Sequence, residues 1–327
     1  MQKIKIGITG TGSLIGQAII KSLQASAFSK DIVLTGFDYF NNTAGSYWVK
    51  NNFILPDILK KSVSRQDWLK VLMKILKSEN IKFLFIGLDF ELPLFAKYKA
   101  LIESETKCKI IVSDMNVIKI CNDKYLTYKF LKKNGFAHPA TWLWQGLNKN
   151  KLNFPYIVKP RIGSRSRDIF VARNKKELFN AVAAVNNPLI QELVGDPTVE
   201  YTCGIICLGG RIKGSIVLRR DLKNGNTENA FYAKDTPQII YDYIHKVAEK
   251  LKPFGACNFQ LRLDREGLPK IFEINARHSG TTYIRALFGF NEVEHILGYL
   301  LGINTGKFTF KEGMVKRYYD ELFIGVK

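Results

Sequence analysis

The chain has 327 residues, and its 49 Lys+Arg against 29 Asp+Glu give a formal net charge of +20. At 46% hydrophobic and 24% charged it sits near the globular norm, which excludes a disordered or collagen-like chain. The length predicts two or three packed units, and no apolar run reaches membrane-spanning length.

The first strand-like segment is too short for a signal peptide, so the expectation is a cytoplasmic protein without membrane insertion. Five cysteines (Cys108, Cys121, Cys203, Cys207, Cys257) form no CxxC pair and no metal-type spacing, as expected of reduced thiols filling a core. The basic residues are spread along the chain, with short clusters only at Lys60-Lys61 and residues 161–173. Small molecules bearing phosphate are therefore the first expectation for the charge, and nucleic acid the last.

Residues 3–9 read as a strand, residues 10–16 as a turn and residues 17–23 as a helix. A second buried strand covers 31–37 and ends at Asp38. Leu69, Leu72, Met73 and Leu76 give residues 68–77 a helical apolar stripe, and strands follow at 81–88 and 109–112. Strands separated by helices predict a doubly wound parallel sheet. Asp123 then caps a helix closed by Gly135, and His138-Pro139 opens an extended stretch. Strands are predicted at 156–159 and 168–172, a helix at 175–185, and strands at 189–193, 200–208 and 211–218. Gly209-Gly210 joins the last two as a hairpin. The polar segment 222–235 reads as a loop. A helix over 237–251 precedes strands at 256–264 and 268–275.

The turn Gly10-x-Gly12-x-x-x-Gly16, with Asp38 ending the next strand, invites an NAD(P)-dependent oxidoreductase reading. Its spacing carries one residue more than GxGxxG, and glycines that only let strand and helix pack closely explain it as well. The region 258–277 says more. If Glu266-Gly267 form the turn of a hairpin and Arg265 pairs with Leu268, then Gln260 lies opposite Glu273 and Asn258 opposite Asn275. Period-two alternation puts these four side chains on one face and Phe259, Leu261, Phe272 and Ile274 on the other. Amide and carboxylate oxygens in such an array suit a Mg²⁺ ion shared with phosphate oxygens; an ordinary solvated hairpin face is the alternative.

With those residues in view, the chain resembles an ATP-grasp ligase of the carbamoyl-phosphate-synthase-like branch. The resemblance rests on the Gly-rich turn, Gly36-Phe37-Asp38, residues 87–93, Asp123-Lys124, Val158-Lys159-Pro160, residues 191–194, Glu200-Tyr201-Thr202, Gln260, Glu273-Ile274-Asn275-Ala276-Arg277 and residues 317–321. It implies an α/β and α+β architecture: a Rossmann-like preATP-grasp domain (residues 1–120) that binds no NAD, then a two-subdomain ATP-grasp domain (residues 121–302, lid about 140–190). A C-terminal segment (residues 303–327) would pack on the latter. It also implies that Lys124 and Lys159 pair with ATP phosphates, that a loop containing Gly163, Ser164 and Ser166 covers them, and that Gln191, Glu192, Leu193 and Val194 form the adenine hinge. Glu200 would hold the ribose. Gln260, Glu273 and Asn275 would hold one or two Mg²⁺ (or Mn²⁺), with Lys159 and Arg277 catalytic. The implied activity joins a small carboxylate to an amine through an acyl phosphate, releasing ADP. One substrate is expected to be phosphorylated, such as a nucleotide-linked amino sugar, and Arg219 and Arg220 are candidate contacts to it. A homodimer and no nucleic-acid partner are expected, with a basic nucleic-acid-binding protein as the alternative reading and His278 as a candidate base.

Overall fold

The computed structural model describes residues 3–163 and 168–325. Its first sheet is built from β1 (Ile4–Thr9), α1 (Leu14–Gln24), β2 (Ile32–Asp38), β3 (Asn51–Ile54), α2 (Arg65–Ser78), β4 (Phe83–Phe85), α3 (Leu92–Thr106), β5 (Lys109–Ile111) and α4 (Met115–Asn122). Every neighbouring pair is parallel, in the order β3-β2-β1-β4-β5. The strands are apolar almost throughout because both faces are covered. Ile6, Ile8 and Phe85 meet Ile19, Ile20 and Leu23 on one side. Leu84 and Ile86 meet Trp68, Leu72 and Phe95 on the other. Ser13 caps α1 by accepting from the Gly16 N–H. β3, α3 and α4 were not expected. β3 is a short, half-exposed edge strand, and the buried residues of α3 (Leu92, Leu94, Phe95, Ile102) follow no clean helical repeat.

A second, smaller sheet follows α5 (Lys124–Lys133). It contains β6 (Thr141–Leu143), β7 (Tyr156–Pro160), β8 (Phe170–Ala172) and β9 (Pro188–Glu192), in antiparallel order β6-β9-β7-β8. Helix α6 (Lys175–Ala184) covers it, and Tyr156, Val158, Leu178, Ala181 and Ile190 form a core of its own.

The third sheet runs β14-β13-β10-β11-β12-β15 and is antiparallel throughout. Its members are β10 (Glu200–Leu208), β11 (Arg211–Lys223), β12 (Asn226–Tyr232), β13 (Gly255–Leu263), β14 (Pro269–Asn275) and β15 (Gly313–Lys316), with α7 (Gln238–Leu251), α8 (Thr282–Leu287) and α9 (Glu292–Leu301) packed on them. One face buries Cys203, Ile205, Val217 and Phe259 against Ile240, Ile244 and Val247 of α7. The other is apolar at Ile206, Ile216 and Leu218 and polar at Thr202, Asn258, Gln260 and Glu273. All five cysteines are buried free thiols. No helix among the described residues is long and apolar enough to cross a membrane.

The segment expected as a loop, residues 222–235, is instead largely a hairpin. Asn224 and Gly225 take positive φ (51° and 74°) between β11 and β12. This is the two-residue turn whose twist matches paired strands, and the Asn-Gly dipeptide was its signal.

Candidate active site

The site face of the third sheet is a grid fixed by register. Gln260 lies between Thr202 and Glu273, Asn258 lies between Gly204 and Asn275, and Glu200 stands opposite Arg220. The expected pairs Gln260–Glu273 and Asn258–Asn275 are therefore present. Nearer the turn the register differs by one. A bulge after Gln260 sets Leu261 opposite Ile271, and the turn closes through Asp264 N–H to the Leu268 carbonyl at 3.0 Å. The extra residue bends the strand and re-aims a side chain. Ile271 takes the core position, and Phe272, expected in the core, turns to the site instead. Its ring centre lies 5.3 Å from Lys159 Nζ and 5.6 Å from the Arg262 guanidinium.

Lys159, on the β7 strand of the second sheet, reaches the grid from above. It is 3% exposed and donates to Gln191 Oε1 at 2.8 Å; the Gln191 amide donates in turn to Thr141 Oγ1 at 2.9 Å. Gln191 thus holds the lysine head in place. Burial and the neighbouring Lys124 push the Lys159 pKa down to about 7. Lys124 opens α5, where Asp123 accepts from the Tyr125 and Leu126 N–H groups, and Arg161 pairs with Asp123 at 2.7 Å. Its Nζ donates to the Gly163 carbonyl at 2.8 Å and stands 4.0 Å from Glu273 Oε2.

Burial would raise the Glu273 pKa, but Lys124, Lys159, the Asn275 amide and Arg277 outweigh it and hold the carboxylate ionised. Asn275 donates to Glu273 Oε1 at 3.1 Å and accepts from Arg277 Nη2 at 3.1 Å. Arg277 Nε pairs with Asp89, which follows β4 of the first sheet. The three sheets and α5 thus contribute to one polar chain: Lys159 and Lys124, Glu273, Asn275, Arg277, Asp89. Asp89 lay within the recognised segment 87–93 without a role, because nothing local in the sequence marks a partner 188 positions away.

Asn258 is not a solvated amide. It is 1% exposed and accepts from Thr202 Oγ1 at 2.9 Å and from Arg285. A Cβ on Gly204 would come within 2.7 Å of the Arg285 guanidinium, so only glycine lets that group lie on the sheet. Arg285 pairs with Glu292 at 3.0 Å, and Glu292 also meets His278 Nδ1 at 3.1 Å. His278, named as a candidate base, is 3% exposed with Nδ1 held by Glu292.

Other expected site residues have protein partners here. Both oxygens of Glu200, expected on a ribose, are engaged: Oε1 by Arg220 and Oε2 by Arg262, the latter at 3.1 Å. Arg220 therefore buttresses Glu200, while Arg219 packs over Phe231 on the opposite face, its guanidinium carbon 4.0 Å from the ring centre. The Glu192 N–H bonds the Ala140 carbonyl at 2.9 Å and Leu193 N–H the Pro155 carbonyl at 3.3 Å, whereas the buried Val194 offers an N–H with no partner among the described residues. Ser164 and Ser166 lie outside the described residues. In the first sheet, Asp38 accepts from Gly12 N–H at 2.7 Å and Thr11 Oγ1 at 2.8 Å, so the carboxylate a dinucleotide ribose would need is spent on its own glycine turn.

A parallel sheet is thus followed by two antiparallel sheets that hold a lysine–glutamate–asparagine–arginine cluster between them. Residues 187–321 match the family described as "ATP-grasp in the biosynthetic pathway with Ter operon". A carbamoyl-phosphate synthase from Methanobrevibacter smithii is 25% identical over 250 residues, 72% of this chain and 66% of that protein. An L-amino acid ligase from Bacillus licheniformis shares the fold at TM-score 0.71 and 16% identity, over 91% of this chain and 74% of that one. So does the biotin carboxylase domain of the Hydrogenobacter thermophilus 2-oxoglutarate carboxylase, solved with MgADP and bicarbonate, at TM-score 0.70 and 14% identity, over 96% and 74%. The chain spans 60–66% of the length of the curated relatives it matches first. Its C-terminal part is thus similar to the ATP-grasp family, and the fold, with a parallel sheet ahead of two antiparallel ones, is that of the solved ligase and carboxylase structures.

Proposed function

We propose that this chain is an ATP-dependent carboxylate–amine ligase working through an acyl phosphate. The observation that carries the reading is the convergence of Lys124, Lys159, Glu273, Asn275 and Arg277 between two sheets. Two buried ammonium groups suit the oxygens of a triphosphate, and Phe272 beside Lys159 supplies an apolar wall for the nucleotide. The Val194 N–H is the free hinge donor for a base edge. A ribose hydroxyl would share Glu200 with its two arginines.

Magnesium fits the donor set in a particular way. No group of three or more His, Cys, Asp or Glu able to hold a metal exists among the described residues, and Glu273 is the one ionised carboxylate beside the amides of Gln260 and Asn275. Such a set suits a cation that arrives with phosphate oxygens already bound. When bound, one or two Mg²⁺ (or Mn²⁺) would neutralise phosphate charge and hold the terminal phosphates.

In the first step a carboxylate oxygen attacks the γ-phosphorus and the bond to ADP breaks, with Arg277 and Lys159 neutralising charge on the moving phosphoryl group. In the second an amine attacks the acyl carbon, phosphate leaves and the nitrogen gives up a proton. Water has to be excluded meanwhile. The second sheet with α6, about residues 140–190, is suited to be the lid, in a chain divided near residues 120 and 302. The even spread of positive charge supports a phosphorylated substrate.

The test is ADP release with Mg²⁺ over amino acids paired with amines, amino sugars and their nucleotide conjugates. The expected result is ADP formation that requires both a carboxylate and an amine, and that falls about 100-fold or more in Glu273→Gln. Release needing no amine, or untouched by Glu273→Gln, would overturn the ligase.

A further inference from the structure

Arg317 lies one residue beyond β15, and pairing fixes its face. Val315 stands opposite Ala230, Ala230 opposite Arg220, and Arg220 opposite Glu200. Alternation places Arg317 on the side of Val315, which is the site face. Its N–H bonds the Glu228 carbonyl at 2.7 Å, and its Nη2 donates to the Gly280 carbonyl at 2.7 Å, three residues past Arg277. Those are its only partners among the described residues. Two acids close to it by pairing or in sequence are engaged or exposed. Glu228, directly opposite, holds Lys223 at 3.3 Å, and Asp320 accepts from the Glu321 N–H in an exposed stretch.

The other arginines of this face are matched. Arg220 and Arg262 share Glu200, Arg277 has Asp89, and Arg285 has Glu292. Arg317 is half-buried without such a match, and burial lowers its pKa with no acid to restore it. A guanidinium has five N–H donors, and one is spent on Gly280. None of the others is among the buried unpaired atoms of the described residues, so they remain available beside the Gly280 contact. Desolvating a guanidinium without a counter-ion costs free energy, and a planar oxyanion is the partner its fork fits.

Resting on the ligase reading, we infer that Arg317 receives an oxyanion, carboxylate or phosphoryl, carried by one of the two substrates, and so seats that substrate beside Arg277. The residue selects among substrates by a group that does not react.

The test measures binding and turnover with matched probes in the presence of MgADP or MgATP. The pairs are L-alanine against its methyl ester, and glucosamine 6-phosphate against glucosamine. Wild type is expected to prefer one charged member of a pair by about 10- to 100-fold, the range of a charge-assisted hydrogen bond. Arg317→Met should collapse that ratio and Arg317→Lys restore part of it, with MgADP affinity following neither. Preference in the alanine pair identifies a carboxylate, and in the glucosamine pair a phosphoryl group. A ratio that survives Arg317→Met overturns the inference. So does a wild type that discriminates in neither pair by isothermal calorimetry, a readout that needs no turnover. ADP release that needs no amine overturns the ligase instead, leaving the binding ratio to decide Arg317.

Discussion

Glu91 and Glu292 are both fully buried glutamates, one beside the parallel sheet and one in the helices on the antiparallel sheet. Glu91 lies two residues past Asp89, the partner of Arg277, and its neighbours are neutral hydroxyls, Thr9 Oγ1 and Tyr39 Oη, the latter at 2.8 Å. Burial wins there and pushes its pKa up to about 7. Glu292 holds His278, next in sequence to Arg277, and faces Arg285 and Thr282 as well. Burial also opposes its charge, but Arg285 and His278 overcome it and bring the pKa down to about 2. Equal burial gives opposite charge states because only one of the two pockets contains a cation. On the antiparallel side the carboxylate is fixed in an ion pair with Arg285 and meets His278 of the arginine loop. On the parallel side it is a carboxyl held by hydroxyls that titrates near neutrality.

Breaking the Glu292 pocket should produce the largest effect. Glu292→Ala strands Arg285, 0% exposed, without its counter-ion. Removing one partner of a buried pair costs about 3–5 kcal/mol. Urea unfolding should show a loss of that order and lowered ADP release, because the loop from His278 to Thr282 loses its anchor. A variant within about 1 kcal/mol of wild type would show that the pair contributes little. The sign with pH is fixed: the folded-state pKa of Glu292 is depressed, so its contribution is complete above about pH 4.5 and is lost as pH falls toward 2.

Glu91 gives the reverse sign. Its folded-state pKa lies above the ordinary value of 4.5, so stability is greatest below pH 4.5 and is lost as pH rises through 7. At 1.36 kcal/mol per pKa unit the loss amounts to about 3 kcal/mol at most. Glu91→Gln keeps a neutral hydrogen-bonding side chain and should flatten that limb, making the variant more stable than wild type at pH 8 and close to it at pH 4.5. Parallel denaturation curves for the two proteins from pH 4.5 to 8 would remove the distinction between the pockets.

The sequence carried the site's spine and not its supports. Gln260, Glu273 and Asn275 were legible because strands alternate, so residues spaced by two across a turn share a face whatever packs above them. The Asp123 cap marked the helix start, but Lys124 and Lys159 were legible only through the resemblance. Phe272 was misplaced because a bulge breaks the alternation, and no local residue announces it. Arg285 and Glu292 were not singled out. The signal that could have found them was Gly204 inside a buried strand, the mark of something approaching the backbone closely. The pairing of Glu200 with Arg220 and Arg262 spans three strands and was invisible for the same reason as the contact between Arg277 and Asp89.

Lys159 extends the comparison to a third buried ionisable group, and its expected effect is the smallest. Its pocket resembles that of Glu91 more than that of Glu292. Burial dominates, the second influence is the like charge of Lys124, and the pKa falls to about 7. A bound nucleotide brings negative phosphates to the ammonium and must raise that pKa. Affinity for MgADP is then constant below about pH 7 and declines above it, by at most about tenfold per pH unit, or roughly 1.4 kcal/mol. Binding at pH 8 should take up close to one proton, readable by calorimetry in buffers of different ionisation enthalpy. Lys159→Met should bind more weakly at every pH and take up none, and subtracting its profile cancels the titration of the nucleotide's own phosphate. Equal slopes for the two proteins would mean that Lys159 is already charged before nucleotide arrives, and that the Lys124–Glu273 side of the cleft compensates its burial as fully as Arg285 compensates Glu292.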